Sequence, residues 1–165
     1  MIAHIPPCRL FVYGTLRDDE LFEIVAGRPL SRFAPVLARG VNTLALSAME
    51  EPMPLLIRSS SFTQGLLLRR VDDEAWRRIR FYEDDIYRCA PIHLHLASGN
   101  EIGAHAFWPR RGTPKKFRRW NFRDWQRISK RRAIAVAKRF MEYSNAPVGT
   151  DLAGAWRDIQ ASLGA

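Results

Sequence analysis

Over its first two thirds, the chain alternates short apolar runs with turn residues, a pattern typical of β-strands. The run from Arg9 to Tyr13 is apolar and stops at Gly14, which predicts a buried strand. A later apolar run contains Gly40, where we expect a bend or bulge. The last two runs flank a Ser-Gly-Asn turn and predict a hairpin. The predicted strands are 9–13, 34–46, 63–71, 87–96 and 102–108.

Two short helices are expected between these strands. Asp18 offers a side-chain oxygen as an N-cap, and the helix 19–26 that follows ends at Gly27, a residue suited to the left-handed position after a helix. Asp72 is expected to cap the second helix, at 73–82. Both helices therefore have sequence signals at their first turn.

From Asn121 onward, the apolar residues recur about every 3.6 positions, which predicts a long helix that ends at the Asn-Ala-Pro sequence 145–147. We expect its apolar stripe to be buried against the rest of the protein. The stretch 151–163 predicts one more short helix. The stripe contains Phe122, Trp125, Ile128, Val136, Phe140 and Met141.

The order of these elements favours an α+β fold. Before residue 112, the predicted strands outnumber the predicted helices, and a helix occurs at only two places in the order of strands. This order favours a small mixed β-barrel with flanking helices over a doubly wound sheet. We place a barrel domain at 1–112 and a basic C-terminal helical extension, packed on the barrel, at 113–165.

The balance of basic and acidic residues also changes near residue 112. The chain of 165 residues has 26 Lys and Arg against 17 Asp and Glu. Residues 1–112 hold 14 basic and 13 acidic side chains, whereas 113–165 hold 12 and 4. Basic and aromatic residues interleave over 115–139, a pattern that suits nucleic acid, an acidic protein or an anionic membrane surface. The alternative is a solvated basic face on a helix whose aromatics pack on the barrel.

Several classes are excluded by composition. Two cysteines, Cys8 and Cys89, are too few for a disulfide framework, so we expect a reducing, cytoplasmic setting. No stretch approaches the roughly 18 apolar residues of a membrane span. The first residues lack the basic and apolar regions of a signal peptide.

Two segments carry candidate chemistry. The glycine turn at Tyr13–Leu16 follows a buried strand, and such a turn can aim backbone N–H groups at an anion, although a plain tight turn has the same pattern. Glu83 lies between aromatic residues at a helix-to-strand corner. Partial burial there would raise its pKa toward the range useful for a general base. The alternative is a solvated acidic loop, since Asp84 and Asp85 follow.

Three histidines suggest a metal site. His93 and His95 share one strand face, and His105 lies on the paired strand. Three imidazoles can hold zinc. This face lies opposite the apolar one and is expected to contact solvent, so we predict no metal here.

The order and spacing of FVYGTLR (11–17), Gly65-Leu66-Leu67 and FYEDDIY (81–87) resemble the gamma-glutamylcyclotransferase-like superfamily, including its bacterial members and the gamma-glutamylamine cyclotransferases. The resemblance spans roughly residues 8–110. It implies a small mixed barrel with a cavity at one end.

The resemblance also implies a reaction that needs no metal or cofactor. Glu83 matches the catalytic base, which would take a proton from the α-ammonium of a small-molecule γ-glutamyl substrate. The freed amine would close the ring to 5-oxoproline and release an amine, amino acid or peptide. The positions that match the substrate-binding residues are Tyr13, Gly14, Thr15, Leu16 and Tyr87.

The chain departs from the family pattern at three places. Asp84 replaces the usual Gly after the Glu, and Cys89 stands where many members have Arg, with Arg88 one position earlier. Phe107 or Trp108 replaces a Tyr of the final strand. The alternative function is a non-catalytic barrel that binds a small molecule, or binds a nucleic acid or an anionic surface through the basic C-terminal segment. The leaving group and the oligomeric state are left open.

Overall fold

A computed structural model describes residues 7–48, 53–83, 86–112 and 117–164. Within them, five strands close into a mixed barrel with helices packed around it, which confirms the predicted α+β fold class. A sixth, short strand extends the sheet beyond β2. The strands are β1 (Arg9–Val12), β2 (Val36–Ala48), β3 (Pro54–Arg69), β4 (Tyr87–Leu96), β5 (Glu101–Pro109) and β6 (Phe117–Arg119).

The barrel closes because β2 and β3, the two end strands of the series, pair with each other. The order is β3-β1-β5-β4-β2, and β2 then pairs antiparallel with β3. Only the β1–β5 pair is parallel among the described strands, with Leu10 opposite His105. Closure leaves the five strands without a free edge.

Strand β1 is buried on both faces, as a continuous apolar run predicts. Phe11 points into the barrel, whereas Leu10 and Val12 pack against the outer helices. A Cβ atom at Gly65 on β3 would lie 2.6 Å from the ring of Phe11. Glycine there lets the two strands pair around a large aromatic side chain.

Two predictions about β2 and β3 are wrong. The irregularity in β2 lies between Val41 and Thr43, at Asn42 with φ 51°, and not at Gly40. Strand β3 begins at Pro54, although the apolar run predicts a start at residue 63. Its first three residues, Pro54–Leu56, are buried, and half-buried and exposed positions then alternate through the polar stretch 58–61, which interrupts the apolar pattern. Pairing with β2 therefore decides its extent. The sequence pattern also predicts a loop over residues 50–54; residues 50–52 lie outside the described residues, and Pro54 already belongs to β3.

The first two helices follow the predicted signals closely. Helix α1 (Asp19–Ala26) is capped by Asp18, whose Oδ1 accepts a hydrogen bond from the Leu21 amide at 3.2 Å, and Gly27 follows it with φ 71°. Helix α2 (Asp73–Glu83) is capped by Asp72, whose Oδ1 accepts from the Ala75 amide at 3.0 Å.

The predicted hairpin forms between β4 and β5. His93, His95 and His105 are all exposed on it, and Nε2 of His95 lies 2.6 Å from the carboxylate of Glu101. Among the residues that the structure describes, no cluster of His, Cys, Asp or Glu is placed to hold a metal ion.

The long C-terminal helix is broken in two at Ser129. Helix α3 (Phe122–Ile128) and helix α4 (Lys130–Met141) are separated there by a residue with φ −112°. The break turns Ile128 outward, with 67% of its surface exposed, so the expectation that it is buried is wrong. Trp125 and Phe140 are buried, as predicted.

The C-terminal extension shares its core with the rest of the protein. Ile134 and Ala137 of α4 lie in one apolar cluster with Leu21 and Val25 of α1. Helix α5 (Leu152–Ser162) packs on α4 through Ile159. The domain boundary near residue 112 stays a prediction. No helix in the described ranges is long and apolar enough to cross a membrane.

Candidate functional site

A cavity of about 490 Å³ opens at one end of the barrel, under the C-terminal helices. The turn after β1, the first residue of β3, the end of α2 and the start of β4 form its barrel side. Helices α3, α4 and α5 form the opposite side. All six predicted site residues line it, namely Glu83, Tyr13, Gly14, Thr15, Leu16 and Tyr87.

The glycine turn depends on a close contact between β1 and β3. A Cβ atom at Gly14 would overlap Cγ of Pro54, so only glycine fits at this position. The next three residues, Thr15–Arg17, form a 3-10 turn closed by a hydrogen bond from the Arg17 amide to the Gly14 carbonyl at 3.1 Å. Thr15 and Leu16 are the first two residues of this turn, so their N–H groups donate no hydrogen bond within it.

Two tyrosine hydroxyls tie the barrel end of the cavity together. Tyr13 donates to the carbonyl of Phe107 at 2.7 Å, and Tyr87 donates to the carbonyl of Pro54 at 2.7 Å. Both rings are buried. A buried hydroxyl with a satisfied donor holds its neighbours in one geometry. These bonds join β1 to β5 and β4 to β3 at the cavity.

Glu83 is the last residue of α2 and is half-buried on the cavity wall. The pKa of Tyr13 is raised well above its ordinary value, mainly by burial and to a smaller extent by the negative charge of Glu83. The same two causes raise the pKa of Tyr82. The carboxylate therefore acts on both phenols through a poorly solvated region, and both phenols stay neutral near neutral pH.

The departures from the family pattern have different structural contexts. Phe107 lines the cavity without a hydroxyl, and its backbone carbonyl holds Tyr13 instead. Trp108 packs inside the barrel, with the guanidinium of Arg58 4.5 Å above its ring. Cys89 is partly buried against the helices. Asp84 lies outside the described residues.

The C-terminal side of the cavity is the part that sequence patterns do not assign. The apolar stripe predicts only a packing role for α3 and α4, yet Trp125, Ser129 and Arg132 line the cavity with Trp156 and Gln160 of α5. One signal exists in the sequence. Polar Ser129 and Arg132 occur at the spacing of an otherwise apolar stripe, which marks a helix face that meets solvent or a ligand.

The basic segment forms a second, more polar cavity of about 600 Å³. Arg17, Arg119 and Arg123 line it, and no acidic side chain does among the described residues. The Arg17 guanidinium also lies 4.5 Å above the ring of Phe122, so this aromatic packs on the barrel. Lys115 and Lys116, two of the predicted basic contacts, lie outside the described residues.

Comparison with known proteins agrees with this architecture. The AIG2-like protein C of Arabidopsis thaliana is 23% identical over 140 residues, which cover 84% of this chain and 80% of that protein. The solution structures of two Arabidopsis thaliana proteins superpose with TM-scores of 0.60 and 0.61, at 19% and 14% identity. They cover 87% and 92% of this chain, and 97% and 92% of their own. These likenesses show the fold.

The family itself is shown by a match along the sequence. The family described as gamma-glutamyl cyclotransferase, AIG2-like, matches residues 10–127, well over half of the chain. The matched region contains the glycine turn, Glu83 and all but the last residue of α3, and it ends before α4. The resemblance inferred from the sequence motifs is thereby confirmed. The chain belongs to the gamma-glutamyl cyclotransferase, AIG2-like family.

Proposed function

We propose that the protein cyclises a γ-glutamyl compound to 5-oxoproline and releases an amine, with Glu83 as the general base. One observation carries this proposal: a single cavity collects Glu83 and the Tyr13–Leu16 turn, the two features that family resemblance assigns to catalysis and to binding of the glutamyl group. Membership of the family supports the reaction class.

The reaction is an intramolecular transfer of the γ-acyl group. Glu83 takes a proton from the α-ammonium, and the freed amine attacks the γ-carbonyl carbon. The bond from this carbon to the leaving nitrogen then breaks, and Glu83 returns the proton to the departing amine. After the attack the ring nitrogen carries two protons and loses one of them, and the departing amine, a stronger base than the ring amide, takes it up. The products are therefore 5-oxoproline and a protonated amine. Because nucleophile and electrophile belong to one molecule, holding a folded conformer supplies much of the rate.

The surrounding residues have supporting roles in this proposal. The turn amides of Thr15 and Leu16 hold the glutamyl group and the oxygen that becomes negative during attack. Neutral Tyr13 and Tyr82 exclude water around the carboxylate without competing for its proton. Tyr87 acts through Pro54, since its hydroxyl donates to that carbonyl and fixes the strand beside Gly14.

The decisive experiment offers the wild-type protein a panel of γ-glutamyl amino acids and γ-glutamylamines and measures 5-oxoproline. Glu83→Gln should lower kcat at least roughly 100-fold, the range of one lost general base. Glu74→Gln is the matched control, since Glu74 is an acid on the same helix outside the cavity, paired with Arg77. It should leave kcat unchanged. Absence of turnover across the panel, or full activity in Glu83→Gln, would contradict the proposal.

A second candidate function is binding of an anionic polymer through the basic segment. The cavity lined by Arg17, Arg119 and Arg123 favours it. Binding of a single-stranded RNA or DNA oligonucleotide should then weaken steeply with salt, because each neutralised phosphate releases counterions. Replacing Lys115, Lys116, Arg118 and Arg119 should reduce the salt dependence and leave 5-oxoproline formation unchanged. Binding that is weak at low salt would rule out this candidate.

A further inference from the structure

Helices α4 and α5 lie beyond residue 127, where the family match ends, yet they form part of the cavity wall. The glutamyl-binding features lie on the opposite, barrel side. Whatever this wall contacts is therefore the part of the substrate that differs between γ-glutamyl compounds, namely the leaving group.

The charges on the cavity wall are few and lie on opposite sides. Of the described residues that line the cavity, Glu83 alone is negative and Arg132 alone is positive. Glu83 belongs to α2 on the barrel side, and Arg132 belongs to α4. Gly14 and Tyr13 are buried, whereas Arg132 is exposed at the mouth. A ligand that spans the cavity thus meets a carboxylate on one side and a guanidinium on the other.

Arg132 is held in place by α5. Its Nη2 donates to Oε1 of Gln160 at 2.8 Å and to the Gln160 backbone carbonyl at 3.1 Å. Both bonds use the same nitrogen, and a guanidinium has five N–H donors in a planar fork. Within the described ranges, Nη1 and Nε of Arg132 make no hydrogen bond that would occupy them. Each two-pronged face of a guanidinium includes Nη2, which here bonds to Gln160. A carboxylate can therefore accept one charge-assisted hydrogen bond from Nη1 or Nε while Gln160 holds the other side of the guanidinium.

Large apolar side chains line the same cavity as Arg132. Trp125 is stacked on Phe122 with ring centroids 5.9 Å apart, and Trp156 meets Phe140 edge-on at 4.9 Å. These partners fix the two indole rings that line the cavity. Rigid aromatic walls favour an apolar body in the ligand, because burying it removes apolar surface from water.

We infer that α4 and α5 form a leaving-group subsite in which Arg132 pairs with a free carboxylate. This inference rests on the proposed cyclotransferase function. The preferred substrates are then γ-glutamyl derivatives of large apolar amino acids, and γ-glutamylamines, which lack that carboxylate, are poorer substrates. Gln160 is a positioning residue that orients Arg132.

A matched pair of substrates isolates the carboxylate. γ-Glutamylphenylalanine and γ-glutamylphenethylamine share the glutamyl group and the aromatic body and differ only in the leaving-group carboxylate. Arg132→Met should lower kcat/KM for the first about tenfold, mainly through a higher KM, and change it less than about twofold for the second. Arg132→Lys should restore only part of the loss, since a lysine ammonium lacks the planar array of donors that bonds Gln160 on one side and the ligand carboxylate on the other.

Matched controls exclude a general effect of charge. Arg131→Met removes an exposed arginine beside Arg132 that does not line the cavity, and it should leave both substrates unaffected. Gln160→Ala should raise KM for γ-glutamylphenylalanine by a smaller factor than Arg132→Met. Thermal unfolding of each variant checks that the fold is retained.

The remaining outcomes separate this inference from the proposed function. Equal losses on both substrates would overturn the inference, because Arg132 would then serve the glutamyl group that both contain. Unchanged kinetics on both would also overturn it and assign Arg132 to the surface. In each case the cyclotransferase function stands. Absence of turnover of any γ-glutamyl compound by the wild-type protein would instead overturn the function, and this inference with it.

Discussion

The carboxylate of Asp18 accepts a hydrogen bond from Nζ of Lys130 at 2.9 Å, which joins the end of the glycine turn to the start of α4. The same oxygen accepts from Nε2 of Gln126 at 3.0 Å, and the other oxygen caps α1 through the Leu21 amide. Asp18 is only 3% exposed. One buried side chain therefore connects the barrel side of the cavity with the helices that cover it.

Replacing this carboxylate should destabilise the fold. Asp18→Ala removes a helix cap and leaves Gln126 and Lys130 without their acceptor, so we expect a loss of about 2–3 kcal/mol in the free energy of unfolding, measured in urea. Lys130 stays partly hydrated, which limits the loss. Glu20→Ala is the control, because Glu20 is half-exposed and contacts Lys130 only at 3.5 Å. That change should stay within about 0.5 kcal/mol.

The contribution of Asp18 should also depend on pH. Burial acts to raise its pKa, but the hydrogen bonds from Gln126, Lys130 and Leu21 outweigh burial and lower it below the ordinary 3.8. A carboxyl group with a depressed pKa in the folded state stabilises above its unfolded pKa and loses that contribution as the pH falls through the folded value. The difference in the free energy of unfolding between wild type and Asp18→Ala should therefore be constant near neutral pH and become smaller below pH 3.8. A difference that widens in acid would contradict this assignment.

The raised pKa values of Tyr13 and Tyr82 predict that the fold is sensitive to alkali. Burial, and then the charge of Glu83, raise the pKa of Tyr82 above its ordinary 10.0, and Tyr13 is shifted in the same direction. An unfolded chain releases these protons at lower pH than the folded protein, so stability should decline as the pH rises above 10.0. Tyr82→Phe should reduce that decline. Tyrosinate absorbance that appears near pH 10.0 for both phenols without loss of the fold would refute the prediction.

Gly14 should not tolerate a side chain. In Gly14→Ala the new methyl group meets the ring of Pro54, so β1 and β3 must separate where the turn begins. We expect a loss of about 1–3 kcal/mol in stability, typical of overpacking, together with reduced 5-oxoproline formation. Gly103→Ala on β5 is the matched control, because nothing lies within 4 Å of a Cβ atom there. Equal behaviour of the two variants would show that the turn accommodates the clash.

The packing of α4 on α2 and α5 should depend on Phe140, whose ring contacts Phe81 of α2 and Trp156 of α5. Phe140 is 6% exposed and its ring stacks on Phe81 with centroids 4.9 Å apart. Phe140→Ala should cost about 3–5 kcal/mol of stability, as for other large buried aromatics. Ile128→Ala removes an apolar side chain from the same extension at a position that is 67% exposed, and it should change stability by less than about 0.5 kcal/mol. Similar losses in both variants would place Ile128 in the core.

The ends of α1 and the β4–β5 hairpin depend mainly on residues that are close together in the sequence. The Asp18 and Gly27 signals at the two ends of α1 act within one helical turn, and the β4–β5 hairpin needs only a turn and two alternating strands. The glycine turn and the aromatic residues before Glu83 likewise lie within short segments. Because these interactions are short in sequence, patterns and motifs alone predict them.

The tertiary structure alone decided the extent of β3, the helix break at Ser129 and the second wall of the cavity. Pairing with β2 determines where β3 begins, and an apolar stripe indicates burial without indicating what covers it. Arg132 and Gln160 meet across 28 positions, and Gly14 and Pro54 across 40. Such contacts form only when distant segments are brought together by closure of the barrel and packing of the helices. The barrel side of the cavity was therefore predictable from sequence, and the side formed by the C-terminal helices was not.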